Sequence, residues 1–186
     1  IPSDEINYID EEGGILMFAN YDEVFDMWFF TREKYYKLRD ERLKQILQMK
    51  ILLIKNTLKF LELDKSLDLY MKTDEERHAI LTQYEFTKLN KHHINNPPKH
   101  VNIVDMVLND KPTYDYIDSI TVRQRSVSHI KELKSTLEKL INEQDNFPPY
   151  DEVWLREIDR FYDEYKSLRD KGWSHMDYPQ TFITTS

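Results

Sequence analysis

The sequence contains no cysteine, which excludes disulfides and thiolate metal sites and is compatible with a reducing compartment. Glycine is almost as scarce. Only Gly13, Gly14 and Gly172 occur, so no residue from 15 to 171 takes a positive φ without cost, and a glycine-rich phosphate cradle cannot be built. That pattern favours helices joined by short connections. There is no run of about 18 to 20 apolar residues of the kind that crosses a membrane. The opening Ile1-Pro2-Ser3-Asp4-Glu5 lacks the charged-then-apolar order of a signal peptide, so an intracellular protein without a membrane partner is expected. The missing initiator methionine suggests a piece of something longer. Basic residues are outnumbered, 26 against 34 acidic, for a net charge of -8, and such a surface does not attract a phosphate backbone strongly.

What is present is a chain of 186 residues, 40% of them apolar and 32% charged, enough for one or two modules with a core. Residues 6–9 and 15–18, separated by Glu11-Glu12-Gly13-Gly14, have the run-turn-run form of a β-hairpin. Asn20 can cap a helix whose first turns carry Asp22, Glu23 and Asp26, acids placed where the helix dipole favours them. No proline or glycine interrupts residues 24–63, and apolar residues return at Leu43, Leu47, Ile51, Ile54, Leu58 and Leu61 in steps of three or four. Forty helical residues at about 1.5 Å rise reach ~60 Å, so part of this helix projects or pairs with a partner. Ile130, Leu133, Leu137 and Leu140 repeat in the same way before Phe147-Pro148-Pro149 ends the run, which makes that segment the partner in an antiparallel coil. The alternative is that both stripes face one ordinary helical core.

Between them, Thr73-Asp74-Glu75-Glu76 fits a capping box opening a helix through about Leu89. Asn95-Asn96-Pro97-Pro98 stops any helix, residues 101–108 form a short apolar element, and Pro112 precedes Tyr114-Asp115-Tyr116-Ile117-Asp118-Ser119-Ile120. The middle therefore reads as a compact helical knob. A last amphipathic helix carries Val153, Trp154, Ile158, Phe161, Tyr162, Tyr165 and Leu168 and stops at Gly172. The expected parts are a hairpin at 1–20, a long helix at 21–63, a globular knob at 64–125, a returning helix at 126–147, a final helix at 148–172 and a loose tail at 173–186. Helix breaks near Asp64 and at Pro148-Pro149 are the expected hinge points.

Catalytic and metal-binding patterns are not found. His78, His92, His93 and His100 include no helical i, i+4 pair, no Asp-x-Asp occurs, and no serine sits in the surroundings of a nucleophile elbow. Most of the twelve tyrosines fall at apolar-stripe positions, where a core or interface role outweighs catalysis.

Three landmarks carry a family resemblance. Gly14-Ile15-Leu16-Met17-Phe18, followed by Tyr21-Asp22-Glu23-Val24 and residues 29–39, FFTREKYYKLR, resembles the passage where type IIA DNA topoisomerases leave the tower domain and descend the coiled-coil arm. Residues 114–120 resemble the segment of that family's C-gate, and residues 152–161, EVWLREIDRF, resemble its tryptophan-centred signature after the ascending arm helix. Asp118 stands where a leucine-like residue is usual, and Thr121-Val122-Arg123-Gln124 lacks the usual continuation. These departures are similar to the divergent enzymes of large DNA viruses.

The resemblance implies a mainly α fold: a long antiparallel coiled-coil pair carrying a small helical dimerisation domain, with a short hairpin at the N-terminus. It implies an exit gate that meets a second copy two-fold and opens to release a transported duplex, within an ATP-hydrolysing isomerase that touches DNA through other domains. ATP and Mg2+ are expected for that longer enzyme and no cofactor for this chain, which has neither the family's Arg-Tyr pair nor its Asp-x-Asp acids. Catalytic residues are therefore expected elsewhere, and the setting is the nucleus or, for a virus, the host cytoplasm. The expected dimer interface is an apolar patch of Tyr114, Tyr116, Ile117 and Ile120, with Asp118 at its rim; the alternative is that these residues close the knob's own core. Two rival functions are a free-standing helical adaptor that binds a partner helix and a nucleic-acid binder using Arg123 and Arg125. The net charge of -8 disfavours the second.

Overall fold

A computed structural model describes residues 6–9, 13–99 and 101–172. The fold is mainly α, and the chain divides into two compact units, Ile1–Tyr36 with Pro148–Ser186 and Lys37–Phe147. One helix, α1 (Tyr21–Leu67), has residues in both. The expected loose tail at 173–186 lies outside the described residues, as does His100.

In the first unit, β1 (Ile6–Ile9) and β2 (Ile15–Phe18) form an antiparallel hairpin in the register Ile6 to Phe18 and Ile9 to Ile15. Gly13, at φ 83°, supplies a backbone angle that a side chain resists. Asn20 caps α1 as its residue type suggests: the Glu23 amide donates to Asn20 Oδ1 at 3.0 Å while the Glu23 carboxylate accepts from the Ala19 amide at 3.0 Å. The last helix, α7 (Tyr150–Asp170), begins after the Pro148-Pro149 break. It anchors on α1 through Trp154, which is buried with its ring 4.9 Å from Phe29 and stacked 5.3 Å from Tyr36. Tyr150 donates to Glu33 at 3.0 Å, and the Tyr36 hydroxyl donates to Glu157. Beyond Trp154 the apolar stripe of α7 is exposed at Ile158, Phe161, Tyr162, Tyr165 and Leu168.

The second unit holds the main core. α6 (Val127–Asp145) returns antiparallel to α1, as two contacts far apart show: Lys134 Nζ lies 3.2 Å from Glu62, and Lys44 Nζ lies 5.4 Å from the Phe147 ring. Leu47, Ile51, Leu58 and Leu61 of the α1 stripe are buried, while Leu43 is exposed. Opposite them Ile130 is buried, with Leu133 and Leu137 packed against the same core. That core also contains Met49 and Phe60 of α1 together with Leu81, Phe86, Leu89, Ile103 and Val107 of the knob. The helix pair and the knob thus share one apolar interior. A half-open cavity of about 220 Å³ remains between Leu53, Ile54 and Leu61 of α1 and Leu133 of α6.

The knob is built from α2 (Asp74–Gln83), α3 (Lys91–Asn95), α4 (Ile103–Asn109) and α5 (Asp115–Asp118), with 3-10 turns at Leu69–Met71 and Val122–Arg125. Side-chain caps open α2, α3 and α4. Thr73 makes the expected capping box with Glu76, Asn90 accepts from His92 and Asn102 from Asp105, and Ser126 opens α6 by accepting from His129. The knob is tied to α1 where Arg42 donates to the Pro97 carbonyl at 3.0 Å and Gln45 accepts from the Ile103 amide at 3.0 Å.

Two expected boundaries move. α1 does not break near Asp64; it continues to Leu67 and stops where Asp68 turns left-handed at φ 46°. α2 ends at Gln83 and not near Leu89. Glu85 at φ 55° closes it in a Schellman pattern, the Phe86 amide donating to Leu81 and the Glu85 amide to Thr82. Leu89, freed from the helix, pairs in an isolated bridge with Thr113.

Candidate functional site

The Tyr114–Ile120 stretch was the expected contact surface, and the structure turns it inward. Tyr114, Tyr116, Ile117 and Ile120 are 3, 2, 1 and 8% exposed, so they close the knob's own core and leave almost no area for a second chain. The physical reason is the shortness of α5: four residues make barely one turn, and both of its tyrosines find hydrogen bonds inside the unit. The Tyr114 hydroxyl donates to the Phe86 carbonyl at 3.1 Å, and the Thr82 hydroxyl lies 3.4 Å from it. The Tyr116 hydroxyl donates to the Thr87 carbonyl at 2.7 Å and accepts from the Asn56 amide at 3.2 Å. Burial pushes the Tyr116 phenol well above its ordinary value, while the Asn56 bond opposes the rise and neighbouring Tyr114 adds slightly to it. Both hydroxyls are thus structural groups, buried and hydrogen-bonded, and burial holds the Tyr116 phenol protonated.

Asp118, expected at an interface rim, instead accepts from Arg77 at 2.8 Å and faces His78 Nε2 at 2.7 Å. Together with Thr82 to Tyr114, these contacts run α2 antiparallel to α5. Arg125, one of the two arginines weighed for nucleic acid, pairs with Asp64 in the last turns of α1, its guanidinium 5.9 Å from the Phe60 ring. The group is engaged in joining α1 to the start of α6.

Among the described residues no group of three or more His, Asp and Glu side chains is placed to hold a metal ion. His93 pairs with Asp110 at 2.6 Å and His78 with Asp118, one carboxylate each. These residues therefore do not fit a Mg2+ centre. No described helix is long and apolar enough to cross a membrane.

What the second unit does leave at its surface are apolar residues that sequence reasoning passed over: Met71, Val122 and Val127 are 81, 68 and 66% exposed. None of the three falls on a helical or strand periodicity that would mark it. Only the fold gathers their segments at one end, since the Arg125–Asp64 pair holds the Val122–Arg125 turn to the end of α1, just before Leu69–Met71.

The fold and the order of landmarks both lead to the type II DNA topoisomerases. Over 166 residues, 83% of this chain, the sequence is 30% identical to DNA topoisomerase 2 of African swine fever virus isolate Tick/Malawi/Lil 20-1/1983. The same figures hold for isolate Pig/Kenya/KEN-50/1950 and the Badajoz 1971 Vero-adapted strain. The chain spans 14% of the length of these curated relatives. The fold is similar to that of the DNA-binding, cleavage and re-ligation domain of Plasmodium falciparum topoisomerase II, with a TM-score of 0.65 at 15% identity over 92% of this chain and 24% of that one. No family model matches the sequence. The chain is related to a region of the divergent, viral type IIA DNA topoisomerases.

Proposed function

We propose that this chain is the coiled-coil arm and dimerising exit gate of an ATP-dependent DNA topoisomerase 2, the part that opens to release the duplex after strand passage. The observation that carries the proposal is the closed core of Lys37–Phe147, built around two antiparallel helices in a stretch 30% identical to the viral enzymes. A core that closes on itself is what a gate module needs if it is to stay folded while its contact with a second copy forms and breaks. The contact should accordingly be small, because an obligate apolar interface would not reopen in each cycle. The helix pair has a mechanical part: backbone hydrogen bonds resist bending, so α1 and α6 hold the gate at a fixed distance from the helix ends near residues 37 and 147. In this reading DNA cleavage, Mg2+ binding and ATP hydrolysis belong to other parts of the longer protein, and the self-contact makes it a homodimer.

The test is molar mass by light scattering over a range of concentrations. A mass near twice 22.6 kDa that falls on dilution is expected. The exposed stripe of α7 is the observation that favours the rival, a helical adaptor that takes a partner helix. A strict monomer at every concentration overturns the self-contacting gate and favours that rival.

A further inference from the structure

We infer that the half-open cavity inside the second unit binds a small organic monocarboxylate, its apolar body held between α1 and α6 and its carboxylate at the mouth beside Lys91, Ser119 and Gln124. Such a site is a property of the second unit alone and does not depend on the gate reading.

The size of the cavity limits the body of the ligand. About 220 Å³ is walled by Leu53, Ile54 and Leu61 of α1, by Leu133 of α6 and by Ile120 just after α5. An engineered apolar cavity of about 150 Å³ takes up benzene, so one ring or a short chain fits here. A drug-sized molecule, which needs about 300 Å³ or more, does not.

The polar groups around the cavity select its head. Thr57, Lys91, Tyr116, Ser119, Gln124 and His129 complete the lining, with no carboxylate among them, in a chain where acids outnumber bases by 34 to 26. Two of the hydroxyls are already spent, Thr57 donating to the Leu53 carbonyl at 2.8 Å and Tyr116 to the Thr87 carbonyl at 2.7 Å. Gln124 is half spent. Its side-chain oxygen accepts from the Thr121 amide at 2.8 Å and from the Thr121 hydroxyl at 3.0 Å, and because a backbone amide can only donate, the NH2 group is the part left over. Among the described residues, neither that NH2 group, the Ser119 hydroxyl nor the Lys91 ammonium has an acceptor. Acids adjacent in sequence to the lining are engaged: Glu62 with Lys134 at 3.2 Å, Asp118 with Arg77 at 2.8 Å and Glu132 with His129 at 3.5 Å. The groups to spare at the mouth are therefore donors, one of them a cation. Donors beside an apolar wall are matched by an anion that carries an apolar body. Lys91 offsets one negative charge, and a second, as on a phosphate monoester, would go unmatched beside leucine and isoleucine.

The test titrates the 186-residue chain with phenylacetate, with phenylacetamide, which keeps the shape and lacks the charge, and with acetate, which keeps the charge and lacks the ring. Backbone amide shifts in NMR spectra report affinity and place together. The expected result is saturable, millimolar binding of phenylacetate, as befits so small a ligand, with shifts concentrated in residues 53–61, 119–124 and 129–133. Phenylacetamide and acetate should each bind at least fivefold more weakly. Lys91→Glu should weaken phenylacetate at least fivefold, whereas Lys139→Glu, on α6 outside the cavity, should leave it unchanged. Both lysines are exposed, so helical circular dichroism should be the same in both variants. Phenylacetamide binding as tightly as phenylacetate, or equal effects of the two glutamate variants, overturns the carboxylate assignment. Phenylacetate that does not saturate, or that shifts amides scattered over the surface, overturns the site itself; neither failure touches the gate, which is tested by molar mass.

Discussion

The Tyr116 hydroxyl bridges the Thr87 carbonyl and the Asn56 amide, and among the described residues Asn56 is the one buried polar or charged side chain besides the tyrosines and tryptophan. Tyr116→Phe removes the shared partner and leaves two buried polar groups to face an apolar ring, which costs about 1–3 kcal/mol. Denaturant unfolding should show this as a lower midpoint at unchanged slope. Adding Asn56→Leu to Tyr116→Phe should restore part of the loss, because only the Thr87 carbonyl is then unmatched; a double variant as weak as the sum of the singles would show that the Asn56 bond carries no coupling. The raised phenol gives a second reading of the same residue. Its folded pKa lies above the ordinary value of about 10, so the folded state keeps a proton that the unfolded state gives up. Stability is therefore intact below pH 10 and falls above it, by about 1.4 kcal/mol per pH unit until the folded phenol ionises. Tyr116→Phe should flatten this alkaline slope, and a slope unchanged in the variant would assign it to other groups.

At the scale of elements, what was legible in the sequence was what has a period or a cap. The long α1, the antiparallel α6, the aromatic α7 and the capping box at Thr73 all follow from spacing or from residue types with one strong local role. What was not legible is how helices end when glycine is absent. Asp68, Glu85 and Lys111 take the left-handed corners; aspartate is a residue type that tolerates this region, but glutamate and lysine are not, so the end of α2 at Glu85 carries no mark in the sequence. The candidate site is harder to read for a related reason. A one-turn helix has no face that periodicity can define, so Tyr114–Ile120 could be recognised as a cluster but not oriented, whereas Met71, Val122 and Val127 carry no pattern until folding gathers them. The corner at Glu85 makes a prediction of its own. A side chain at φ 55° resists the conformation that glycine accepts freely, so Glu85→Gly should stabilise the chain by about 0.5–1 kcal/mol. It should raise the melting temperature by a few degrees; a lower melting temperature would mean that the Glu85 side chain contributes more than its backbone costs.

On the scale of the whole chain, the two units differ in how they are held. Lys37–Phe147 has a continuous core from Met49 through Ile130, whereas the other unit joins α7 to α1 around one buried tryptophan, with Phe29 and Tyr36 against its faces. Truncating a buried tryptophan costs about 3–5 kcal/mol, and since no other described side chain of this unit is buried the loss should be local. Trp154→Ala is therefore expected to strip hydrogen-exchange protection from residues 150–170 while residues 103–120 exchange as slowly as before. Equal loss in both segments would make the chain one cooperative block. The distinction bears on the proposed gate: under that reading, a core of the second unit that holds without Trp154 would let a contact between copies break with no part of that unit melting.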